Sequence, residues 1–120
     1  MAKEIINMQI KNVTLTMADH GCLTFFLTLE GGGYGVNVGG YCIGHGCLGS
    51  KDFRVGNGAG LVAIMKIMDT IGVERWEDLK GKYCRVESES WGSTIHKIGN
   101  ILEDKWFDLK DFFANYEATK

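Results

Sequence analysis

Proline is absent from all 120 residues. Turns must therefore be built by glycine, asparagine and aspartate, which reach tight-turn dihedrals by other routes. The chain also lacks any apolar run near the roughly 18 residues of a membrane-spanning helix. Charges at Lys3, Glu4 and Lys11 interrupt its opening segment, so neither a signal peptide nor a membrane anchor is expected. There is no excess of positive charge: 13 Lys and Arg stand against 15 Asp and Glu, a net charge of −2. Without a basic field, broad binding to DNA or RNA is not expected. Paired C-x-x-C knuckles are missing, as is the Gly-Lys-Ser/Thr of a P-loop. No motif carries catalytic residues at a spacing that a reaction requires. A cytoplasmic, non-enzymatic protein without a cofactor is expected, its cysteines Cys22, Cys42, Cys47 and Cys84 held as thiols.

What the chain has in plenty is glycine, unevenly placed. Of 17 glycines, 12 fall between Gly31 and Leu61, in GGGYGVNVGGYCIGHGCLGSKDFRVGNGAGL. Glycine serves where the backbone takes positive φ or comes close to another group. This ribbon follows a strong hairpin pattern and precedes the longest helical pattern, so the rest of the chain reads as its frame.

The remaining sequence alternates between two periods. Residues 5–17 alternate as a strand, but Met8 and Ile10 lie in opposite parity to Val13, Leu15 and Met17. That change near Lys11 and Asn12 predicts a β-bulge. Asp19-His20-Gly21 marks a turn, and Leu23, Phe25, Leu27 and Leu29 form one face of a second strand. Residues 34–43 suit a third strand, weakened by glycine, and 44–58 read as an irregular loop. Leu61, Ile64, Met65 and Met68 recur at helical spacing over 59–71, with Gly72 as C-cap. A short helical turn covers 74–79. Strands are expected over 83–89 and 94–102, joined through Ser90-Trp91-Gly92-Ser93, and Asp108 caps a final helix over 109–115. The expected fold is a single α+β domain, β-β-β-α-β-β-α, with an antiparallel sheet of about five strands and one main helix on one face. Its glycine-rich edge is expected to favour a homo-oligomer.

Candidate sites follow from the ribbon. Gly56, Asn57, Gly58 and Gly60 lead into the main helix and would present backbone N–H groups to phosphate. Lys51 and Arg54 would neutralise it, and Tyr34 or Tyr41 would stack a base; those tyrosines equally suit covering a sheet edge. His20, Cys22, Cys42, His45 and Cys47 are weaker candidates for a zinc site. Cys47 with His45 or His20 is the one pair that resembles a nucleophile and base. Glu87, Glu89, Glu103 and Asp104 read as solvated charges. Trp76 and Trp106, each in an acid-flanked segment, read as anchors onto the core or as interaction hot spots.

Asp19-His20-Gly21, Gly39-Gly40-Tyr41, Val73-Glu74-Arg75-Trp76-Glu77-Asp78-Leu79, Ile98-Gly99-Asn100 and Asp104-Lys105-Trp106-Phe107 resemble stretches of small phage- and prophage-encoded accessory proteins. The resemblance spans most of the chain and carries no catalytic set. It implies a viral accessory protein acting in the host cytoplasm against bacterial defence. Sequestration of a small nucleotide signal is the leading expectation, because glycine-rich backbone, a helix start and aromatics converge. An anti-CRISPR-like inhibitor that docks on a host nuclease through exposed aromatics and acids is the alternative, and a zinc-stabilised structural module is a third.

Overall fold

The computed structural model describes residues 4–17, 22–46, 54–56, 58–88 and 95–118. Within them the elements run β1 (Glu4–Met17), β2 (Cys22–Gly31), β3 (Tyr34–Gly39), β4 (Gly44–Gly46), β5 (Arg54–Gly56) and α1 (Gly58–Ile71). A 3₁₀ turn (Trp76–Leu79) follows, then β6 (Tyr83–Ser88), β7 (Lys97–Asn100), β8 (Trp106–Asp108) and α2 (Leu109–Ala118). Among the described residues, eight strands form one antiparallel sheet in the order β5-β4-β2-β1-β6-β7-β8, with β3 also pairing β2. The fold is α+β. The five expected strands are β1, β2, β3, β6 and β7. Three strands of three residues each, β4, β5 and β8, were not expected, and two of them lie in the span read as loop.

β1 is the axis of the sheet. It pairs β2 through Met17↔Leu23 and β6 through Glu4↔Ser88. The register slips between Ile10 and Asn12, where the parity change predicted a bulge. Ile10 turns its own backbone to a third partner there. Its N–H donates to the Lys82 carbonyl at 2.8 Å and its carbonyl accepts from Gly81 at 2.7 Å. The bulge thus lets one strand serve two ladders and a turn.

One sheet face carries Met8, Ile10, Phe25, Leu27, Leu29, Val38, Val86 and Ile98, all buried. The helices and the 3₁₀ turn cover it, with Ala63, Ile67, Leu79 and Leu109 in the same hydrophobic cluster. Trp76 meets Phe25 edge-on with ring centroids 6.0 Å apart, so it anchors its turn onto the core.

α1 sits one step round from its bulkiest stripe. Ala59, Gly60, Ala63, Ile67 and Thr70 are buried, Ile64 and Met68 flank them, and Leu61 and Met65 are 63% and 50% exposed. Small side chains face the sheet because the helix backbone comes close to it, at the Ile43–Gly60 contact.

The C-terminus of α1 closes as the sequence predicts and gains a partner that it did not show. Gly72 has φ 96°, and the N–H groups of Gly72 and Val73 both donate to Met68 O at 2.8 and 3.0 Å. From β7, Asn100 Nδ2 donates to Thr70 O at 2.9 Å and to Ile71 O at 3.4 Å. Its Oδ1 accepts from Leu102 N at 2.8 Å and Glu103 N at 2.9 Å. The Asn100 carbonyl accepts from Arg85 Nε at 2.6 Å. Helix, turn and two strands therefore meet on one buried amide. Replacing Asn100 with alanine leaves those carbonyls and amides without partners. A stability loss of roughly 1–3 kcal/mol is expected, read as a lower urea midpoint with an unchanged slope. A midpoint equal to that of the unaltered protein would refute this role.

Candidate functional site

Several glycines of the ribbon are used by the protein's own packing. Gly60 lies under Ile43, and a Cβ built there would collide with the Ile43 side chain. Gly39 has φ 125° and presses on the Phe25 carbonyl, while the following N–H, of Gly40, donates to that same carbonyl at 2.8 Å. This kink ends β3 and turns the chain along β2 toward β4. Gly56 and Gly58 differ from these. Both are exposed, and nothing approaches the place of a Cβ at Gly56.

The other expected ligand residues scatter. Tyr34 opens β3 opposite Gly31, and Arg54 stands in β5 opposite Gly46. The side chains of both, and Lys51 and Asn57 entirely, lie outside the described residues. Tyr41 turns inward. Its ring stacks on Phe113 of α2, with centroids 4.4 Å apart and planes 16° from parallel, and its carbonyl accepts from Thr24 Oγ1 at 2.7 Å. Burial, and then the Asp108 carboxylate, push the Tyr41 hydroxyl above its ordinary pKa. The Tyr41 ring is thus packed against α2.

Two of the five soft-ligand candidates meet. Cys42 Sγ donates to Gly44 O at 3.3 Å, beside the position of Cys22 in the β2–β4 ladder. The neighbouring Cys42 thiol, then desolvation, raises the Cys22 pKa. His45 stands opposite Cys22 in the β2–β4 ladder. His20, Cys47 and the His45 side chain lie outside the described residues. Among the described residues, no three His, Cys, Asp or Glu side chains are grouped to hold a metal ion. Cys84 is apart from these, buried in the core, where desolvation pushes its thiol up to about 12.

A broad concavity among the described residues lies elsewhere. A groove of about 840 Å³ runs between the second half of α1, strand β8 and α2. Its walls carry four carboxylates, Asp69, Asp104, Asp108 and Asp111, against two lysines, Lys66 and Lys105. Trp106, Phe107 and Phe112 also line it. Each carboxylate is placed by local structure. Asp108 Oδ1 accepts from Asp111 N at 2.9 Å as the predicted cap of α2, and lies 3.1 Å from His96 Nδ1. Asp104 Oδ1 accepts from Trp106 Nε1 at 2.9 Å, while Asp69 projects from α1 on an exposed position. The Trp106 ring is held from the sheet side by Arg85, whose guanidinium carbon lies 4.8 Å from its centroid. A groove that is acidic and lined with aromatic rings suits a cationic partner and repels phosphate.

Sequence reasoning flagged Trp106 and its acidic neighbours, as a hot-spot candidate, but not Asp69 or Asp111. Those come from separate helices, and the signal that joins them is the packing of α1 beside α2. No family model, curated protein or solved structure matches the chain.

If Gly60 serves packing, then Gly60→Ala destabilises the protein with no ligand present. Overpacking at such a contact costs about 1–3 kcal/mol. The check is a thermal melt without nucleotide, and an unshifted midpoint would return Gly60 to the list of candidate ligand contacts.

Proposed function

We propose that this chain is a non-enzymatic binding protein that works by docking on another protein. The observation that carries this reading is the groove between α1, β8 and α2, with its surplus of carboxylates over lysines and its aromatic lining. Aromatic rings provide contact area, and carboxylates at a rim steer and orient a basic partner. The resemblance to phage accessory proteins supports a role against bacterial defence in the host cytoplasm. Proteins that handle nucleic acid line their channels with lysine and arginine. An acidic groove is the complement of such a channel, as in an anti-CRISPR-like inhibitor seated on a nuclease. The edge strands β5 and β8 are three residues each among the described residues, whereas β3, six residues long, pairs β2 alone there and leaves an edge on which a second copy could pair. Docking through this groove needs no second copy of the chain.

Sequestration of a small nucleotide is the second reading. It is favoured by the exposed Gly56 and Gly58 beside the start of the 14-residue α1. The inward turn of Tyr41 and the packing of Gly60 leave that site with fewer groups than the ribbon promised.

The two readings part cleanly in experiment. Asp69→Lys with Asp111→Lys should abolish capture of a bacterial lysate protein that the unaltered chain retains, while the melting temperature stays within a degree or two. Retained capture by the double variant would defeat the groove reading. A panel of cyclic and linear nucleotides should leave stability unchanged. A true ligand at 100 times its dissociation constant would instead add about 2.7 kcal/mol.

A further inference from the structure

The Cys22–Cys42 pair has no part in the docking reading and carries an inference of its own. Cys22 begins β2, and Cys42 lies in the segment that returns alongside that strand. The segment is held in place by backbone bonds on both sides of Cys42. Gly40 N donates to Phe25 O at 2.8 Å, and Ile43 N donates to Leu23 O at 2.8 Å. The two thiols are therefore brought together by the sheet itself: Cys42 Sγ lies 3.3 Å from the carbonyl of Gly44, whose neighbour His45 is the ladder partner of Cys22. Cys42 is exposed and Cys22 half-buried.

Two thiols held side by side, one open to solvent and one behind it, have the arrangement of an oxidisable thiol and its resolving partner. We propose that Cys22 and Cys42 form a redox-active dithiol, a modification site that closes to a disulfide under oxidants of the peroxide class. The exposed Cys42 sulfur, as thiolate, attacks one peroxide oxygen and breaks the O–O bond. This gives a sulfenic acid on Cys42 and releases hydroxide, which takes up a proton to become water. The Cys22 sulfur then attacks the Cys42 sulfur. The S–OH bond breaks, a second water leaves, and the Cys22 proton goes to solvent. In sum, two thiols and one hydrogen peroxide give one disulfide and two waters; the sulfurs are oxidised and the peroxide is reduced. A thiol reductant reverses the change by exchange.

The cross-link would have a structural effect. It ties the start of β2 to the segment whose Tyr41 stacks on Phe113 and whose Ile43 packs on Gly60. Both helices rest on that segment, so the oxidised chain is the more constrained one.

The test uses the full chain carrying Cys47→Ser, so that the pairing is unambiguous. After treatment with hydrogen peroxide, the intact mass should fall by two hydrogens. Cleavage after glutamate, which separates Cys22 from Cys42 at Glu30, should yield the two peptides joined. Dithiothreitol should restore the starting mass, and the buried Cys84 should stay unmodified throughout. The thermal midpoint of the oxidised form should lie above that of the reduced form. In Cys22→Ser made in the same background, a dimedone adduct should accumulate on Cys42, because no resolving thiol is left. The proposal fails if the joined peptides do not appear, or if Cys42 goes straight to sulfinic acid while Cys22 can still be alkylated.

Discussion

A single buried carboxamide holds the two layers in register. Asn100 ends β7, yet its side chain spans the gap to the last carbonyls of α1 and at the same time receives the first amides of the 101–105 turn. A helix C-terminus over a sheet exposes carbonyls that need donors. Here the donor comes from the layer beneath, so helix and sheet cannot slide without losing bonds at both ends of the amide. Arg85 extends the same node. Its Nε reaches the Asn100 carbonyl, its terminal nitrogen reaches Glu103 O at 2.8 Å, and its plane covers Trp106. The groove wall at Trp106 is thus positioned by the same residues that set the helix, and the candidate site inherits its rigidity from the fold.

Four of the five stretches on which the expected resemblance rests lie among the described residues and share a common character. Trp76 and Leu79 close the core over Phe25, with Arg75 pinned to Asp78. Gly39, Gly40 and Tyr41 form the kink and the stack on α2. Asn100 and Trp106 belong to the node just described. These are the joints of the architecture. Surface groups such as Asp69 and Asp111, which give the groove its charge, lie outside every one of those stretches. Charge at those two positions can vary without disturbing a joint.

Much of the scaffold was legible because its signals are local. The bulge shows as a parity change within one strand, the end of α1 as a glycine after a helical stripe, and the start of α2 as an aspartate. Strands β4 and β5 left no such trace. Three residues are too few for a period, and Gly44-His45-Gly46 pairs because β2 and β5 are there to receive it. The rotation of α1 misled for a related reason. Its large apolar residues mark a stripe, but how close the helix may come is decided by its small ones, Gly60 and Ala63. The glycine ribbon drew attention as a binding feature, and only the tertiary structure separates glycines spent on close packing from the exposed Gly56 and Gly58. The groove was the least legible feature. Asp69 of α1 is 37 residues (106 − 69) before Trp106 of β8, and Asp111 stands on a third element, α2.

The contact between Ile43 and Gly60 sets a volume rule for the seam between sheet and helix. Whatever bulk is added at position 60 must be surrendered at position 43, since neither backbone can retreat without breaking the Ile43–Leu23 ladder bond on one side or the Asn100 clasp on the other. In a diverging lineage the two sites should drift as a pair of reciprocal sizes, and a chain with alanine at 60 should be found carrying a trimmed residue at 43.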